Sequence, residues 1–103
     1  MIRLLIAAPS EAQRAGLEAL AESSPGVELA GSFPDFSAVE ALRPDVVLAA
    51  ASAGEVAPGP ATVLLSQDAE PQWTLDALRA GVRAILPRDA RPAGILAAVE
   101  AAA

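Results

Sequence analysis

The chain has 103 residues, more than half of them hydrophobic, largely through alanine, and a net charge of −6. Cysteine, histidine and lysine are all missing, which excludes disulfides, thiolate or imidazole catalysis and zinc sites built on those ligands. The acidic balance argues against this domain gripping nucleic acid by itself.

No run approaches the ~18 apolar residues of a membrane span, and the N-terminal apolar run is too short for a signal peptide. One cytoplasmic domain over 1–103 with a modest core is expected.

In chain order, Ile2 to Ala7 reads as an apolar strand ended by Pro9-Ser10. Ser10 is placed to N-cap a helix from about Glu11 to Ser23, with Gln13 completing a capping box. Leu17, Leu20 and Ala21 form its inner face; Glu11, Arg14, Glu18 and Glu22 form its outer face. Pro25-Gly26 is a turn. Val27 to Gly31 alternates around Glu28 and reads as an edge strand, and 32–35 as a loop. A short helix is expected over about Phe36 to Leu42, stopped by Arg43-Pro44.

Asp45 to Ala49 reads as a strand: after the Pro44-Asp45 entry, Val46 to Ala49 is an uncharged run, β-branched at Val46 and Val47, that suits burial on both faces. In doubly wound sheets ligands sit at the carboxyl ends of such strands; here that position is Ala50. From Ala50 to Pro60 there is no helical period, and Gly54, Pro58, Gly59 and Pro60 mark a loop. Ala61 to Ser66 is a strand. Pro71 opens a helix to Ala80, with Gly81 as its stop. Val82 to Leu86 is a fifth strand, and Pro92 opens a last helix through Ala102 with Ile95, Leu96 and Val99 inward. Alternating strands and helices give an α/β fold: a doubly wound parallel five-stranded sheet of flavodoxin-like order 2-1-3-4-5.

Several segments carry a resemblance. Ile2-Arg3-Leu4-Leu5-Ile6-Ala7, Arg14-Ala15-Gly16-Leu17, Arg43-Pro44-Asp45-Val46-Val47-Leu48, 77–84 and Leu86-Pro87-Arg88-Asp89-Ala90 occur in the order and near the spacing of response-regulator receiver domains. The chain resembles this CheY-like superfamily over its whole length, and within it the receivers of two-component systems that precede LuxR/NarL-type DNA-binding domains. The resemblance implies a magnesium ion held by two adjacent acidic residues after the first strand. It also implies an aspartate nucleophile after the third, a Ser/Thr after the fourth and a lysine after the fifth.

At those positions this chain has Ala8 and Pro9, Ala50, Ser66 and Arg88, with Ile85 at the aromatic switch position. Neither alanine nor proline can coordinate a hard cation or attack phosphorus. No cofactor, metal, phosphoacceptor or catalytic residue is therefore expected. Asp45 lies about five residues upstream of Ala50, at the far end of the strand at ~3.3 Å per residue. Glu11, Asp68 and Asp89 share the correct rim but sit on three different loops. The family's helix between strands three and four is missing or replaced by a loop.

The functional expectation is a pseudo-receiver that signals through protein contacts without phosphorylation, as the regulatory domain of a transcription regulator. DNA would be reached only through a domain outside this chain. The alternative is a ligand-gated receiver with a small molecule in the vacated position. An enzyme is not expected, since no nucleophile–base pair is present.

Ser66 and Arg88 read either as an anion site or as a capping hydroxyl and a surface ion pair with Asp68 or Asp89. Trp73 reads either as a partner anchor or as a cover for the adjacent loop. The missing helix should leave part of Val46, Val47, Leu48, Val63, Leu64 and Leu65 wet, with only Val56 and Ala57 to cover them. A homodimer over that face, bordered by Phe36 and Trp73, is expected in consequence.

Overall fold

The computed structural model describes residues 1–56, 58–67 and 73–103. Five strands, β1 (Ile2–Ala7), β2 (Val27–Phe33), β3 (Val46–Ala51), β4 (Ala61–Ser66) and β5 (Val82–Pro87), form one parallel sheet in the order β2-β1-β3-β4-β5. Its helices are α1 (Glu11–Glu22), α2 (Val39–Leu42), α3 (Leu75–Ala80) and α4 (Pro92–Ala102). Between β3 and β4 the described residues hold only a 3-10 turn, Ala53–Glu55, where the resemblance implies a helix. None of the described helices is long and apolar enough to cross a membrane.

Strand alternation divides the core in two. Leu4, Ile6, Val46, Leu48, Val63 and Leu65 pack with Leu17, Ala21, Ile95 and Val99 of α1 and α4. On the other face Leu5, Val47, Ala49 and Leu64 pack with Ala77 of α3, and with Phe36, Val39, Leu42 and Val56. The expected wetting does not occur: Val47 and Leu64 on this face, and Val46, Leu48, Val63 and Leu65 on the first, are all at most 1% exposed. Phe36, Val56 and the short α2 reach far enough inward because the opposing positions Ala7, Ala49, Ala51 and Ala77 leave little volume to fill. Ala57 lies outside the described residues.

Element ends follow local chemistry. The Ser10 Oγ accepts from the Gln13 N–H at 3.2 Å, the expected N-cap of α1. β2 continues to Phe33 instead of ending at Gly31, because the β1 register skips Ala30 and the Ala8 N–H then donates to the Phe33 carbonyl. α2 starts only at Val39. The Asp35 carboxylate accepts from both the N–H and the hydroxyl of Ser37, a local turn that competes with helix over 35–38.

Those bonds, side chain first, hold the Asp35 carboxyl below its ordinary range. Their contribution is present above the unfolded pKa and is lost as pH falls through the folded one. β3 runs one residue later than expected at its start and two at its end, so Ala50 pairs with Leu65 inside the strand. β5 likewise extends to Pro87. α3 begins at Leu75, with the Thr74 Oγ1 accepting from the Ala77 N–H at 3.0 Å; Pro71 lies outside the described residues. In α4, Ile95 and Val99 are buried, whereas Leu96 is only partly so.

Gly81 ends α3 at φ 101°, and a Cβ there would lie 2.7 Å from the Pro60 carbonyl oxygen. Gly16, exposed on α1, would have nothing within 4 Å of an added Cβ. The same substitution should therefore have opposite signs. Gly81→Ala should destabilise by about 1–3 kcal/mol, and Gly16→Ala should stabilise by about 0.5–1 kcal/mol. Urea midpoints measure both, and a shared sign contradicts the assignment.

Candidate functional site

The strand order brings the carboxyl ends of β1, β3, β4 and β5 side by side, and with them Ala8, Ala50, Ser66 and Arg88. The interior of this rim is closed: Ala8 is 0%, Ala50 2% and Ser66 2% exposed. Ala8 and Ala50 belong to the same apolar cluster as Ile6, Leu48 and Leu65. Pro9 and Arg88 are exposed at the margin. Of the acids considered at this rim, Glu11 and Asp89 are exposed, and Asp68 lies outside the described residues. Among the described residues no three His, Cys, Asp or Glu side chains come together.

The sequence put Arg14 on the outer face of α1, yet the residue is half-buried and turned back toward the rim. Its Nη1 donates to the Ala8 carbonyl at 2.7 Å and to the Pro9 carbonyl at 3.3 Å. A guanidinium therefore lies across the two backbone carbonyls of the segment where the resemblance implies a divalent cation. Its positive charge, together with side chains that offer no oxygen, does not fit such an ion. The only sequence signal for this was an arginine one turn into the first helix; the reach of its side chain is a tertiary fact.

Asp45 stands at the opposite end of β3, as expected, where its Oδ2 accepts from the Arg3 N–H at 2.9 Å. Near that end a groove of about 500 Å³ opens between α2 and the loop before β4. Phe36, Val39, Val47, Val56, Pro58 and Pro60 form its apolar walls. Two of the three residues expected to face a partner, Phe36 and Val56, thus belong to one concavity. Trp73 is 48% exposed, and it is joined by Leu75 and Leu78, which no pattern in the sequence singled out.

No family model matches the chain, and no curated protein matches it in sequence. Solved structures do. The signal receiver domain of the response regulator NarL from Mycobacterium tuberculosis superposes with a TM-score of 0.81 at 24% identity, over 98% of this chain and 95% of that one. The chain has the receiver fold. The response regulator domain of Thermotoga maritima CheB matches with a TM-score of 0.78 at 17% identity, over 99% of this chain and 96% of that one. A pilus assembly protein, CpaE, from Burkholderia thailandensis matches at 0.74 and 24%, over 99% and 98%.

The two rim arginines should behave differently when removed. Arg14→Ala breaks a charge-assisted bond to a buried segment and should cost about 1.5–3 kcal/mol. Arg88→Ala, at an exposed site, should stay within about 0.5 kcal/mol of the unmodified chain. Urea denaturation at neutral pH compares them, and equal losses would refute the role given to Arg14.

Proposed function

We propose that this receiver fold works as a pseudo-receiver: a non-enzymatic signalling domain that changes its protein contacts without aspartyl phosphorylation. We further propose that it regulates transcription through a DNA-binding domain outside this chain. The observation that carries the reading is the closed rim, with a buried methyl at Ala50 and the Arg14 guanidinium across the Ala8 and Pro9 carbonyls. Phosphoryl transfer to a receiver needs a carboxylate nucleophile and a metal to neutralise developing charge, and the side chains of Ala8, Pro9 and Ala50 offer no carboxylate for either. The burial of Ala8, Ala50 and Ser66 also speaks against a small molecule lodged in the vacated position.

A second setting is supported by the likeness to CpaE, a pilus assembly protein, over nearly the full length of both chains. In that setting the domain would guide an assembly and not a promoter. Both settings share the same chemistry at the rim. A helix-turn-helix encoded downstream of Ala103 would favour transcription.

The chemistry is tested with acetyl phosphate and magnesium, followed by intact-mass spectrometry. The expected result is an unchanged mass at every time point. A stable gain of one phosphoryl group overturns the reading.

A further inference from the structure

The groove beside α2 lies on the face where the resemblance implies a helix between β3 and β4 and the described residues supply only a 3-10 turn. Its volume, about 500 Å³, falls within the ~300–1,000 Å³ of small-molecule sites. Phe36, Val39, Val47 and Val56 make most of it apolar.

The polar groups on it are few and can be followed one by one. Pro44, Pro58 and Pro60 bring no backbone N–H. Among the described residues, three lining side chains carry a hydrogen-bond donor: Ser37, Arg43 and Thr62. Two of these donors are already used. The Ser37 hydroxyl donates to the Asp35 carboxylate, and the Thr62 hydroxyl donates to the Pro60 carbonyl at 3.2 Å. The Arg43 guanidinium is the donor that remains. Glu40 supplies the carboxylate on the same groove. Among the described residues neither the Glu40 carboxylate nor the Arg43 guanidinium has a hydrogen bond or an ion pair.

Arg43 is held in an unusual backbone state. It is the cap just after α2, at φ 45° and ψ 60°, and it is the non-glycine residue with positive φ among those described. Its N–H donates to the Val39 carbonyl and its carbonyl accepts from the Arg3 Nη1, both at 3.0 Å. A glycine would take this conformation without strain. Strained residues of this kind cluster at ligand clamps, and here the strained residue is the one that brings the free guanidinium to the groove.

Charge then selects the class of ligand. A lone carboxylate on Arg43 would also meet Glu40 and the field of a chain with net charge −6. A lone ammonium on Glu40 would meet Arg43. A ligand with both charges close together and an apolar body satisfies acid, guanidinium and walls at once.

We propose that the groove binds a hydrophobic α-amino acid as its zwitterion. The α-carboxylate pairs with the Arg43 guanidinium, the α-ammonium pairs with the Glu40 carboxylate, and the apolar side chain lies against Phe36, Val47 and Val56. The groove stands near the amino end of the sheet, away from the rim at Ala8 and Ala50. Binding here is therefore independent of phosphoryl uptake, and either reading can fail alone.

Titration calorimetry of the 103-residue chain at neutral pH tests it, with L-leucine and L-phenylalanine as probes. At least one of them should bind saturably. N-acetyl-L-leucine lacks the ammonium, L-leucinamide lacks the carboxylate and glycine lacks the apolar body; each should bind roughly tenfold more weakly or worse than the better probe. Arg43→Gly should lose binding by about tenfold or more while its urea midpoint rises, and these opposite directions separate a lost contact from a damaged fold. Glu40→Gln, at an exposed site, should bind L-leucine and N-acetyl-L-leucine about equally. No binding of either probe, an acetylated ligand that binds the unmodified chain as tightly as the free amino acid, or unchanged binding by Arg43→Gly each overturns the proposal.

Discussion

A parallel sheet that is apolar on both faces must be covered on both, and the way this small chain meets that constraint determines the rest of its structure. One face is conventional: α1 and α4 lay Leu17, Ala21, Ile95 and Val99 over the strands. The other face has one turn of α2, an extended loop and the six-residue α3. It still closes over Val47, Ala49 and Leu64 because that face is lined with alanines. Reducing side-chain volume on the strands does what an additional helix would otherwise do. Of the loop's described residues Val56 packs inward, helped by Phe36 before α2.

That solution has an outer consequence. A helix that must lie close to the sheet keeps alanine inward, at Ala77 and Ala80, so its larger residues turn to solvent. The thin cover also leaves a concavity beside α2. The knob at Trp73, Leu75 and Leu78 and the nearby groove are two results of the same economy of volume, which is why they share a face.

The rim at the carboxyl ends shows how fold and chemistry separate. The topology still gathers Ala8, Ala50, Ser66 and Arg88 from four strands. Two of these four, Ala8 and Ala50, carry only a methyl group, and they join the core. Arg14 then uses the backbone carbonyls left at the end of β1. The result is a structural seal across the place where a receiver would hold a metal.

Local patterns determined much of this protein. The apolar runs and their punctuation by proline and glycine set the order of strands and helices. The Ser10 and Gln13 spacing set the start of α1, and the sequence itself puts Ala8, Pro9 and Ala50 where the resemblance implies carboxylates. These features depend on near neighbours or on side-chain identity alone. The tertiary structure decided what depends on distant segments. The skipped Ala30 extends β2, and the Asp35–Ser37 turn shortens α2. Full burial of Val46 to Leu48 follows from matched volumes on facing elements. The inward turn of Arg14 and the outward turn of Leu75 and Leu78 follow from which helix faces meet the sheet. Periodicity could not reveal that in a six-residue helix, because one and a half turns carry too few positions to mark a face.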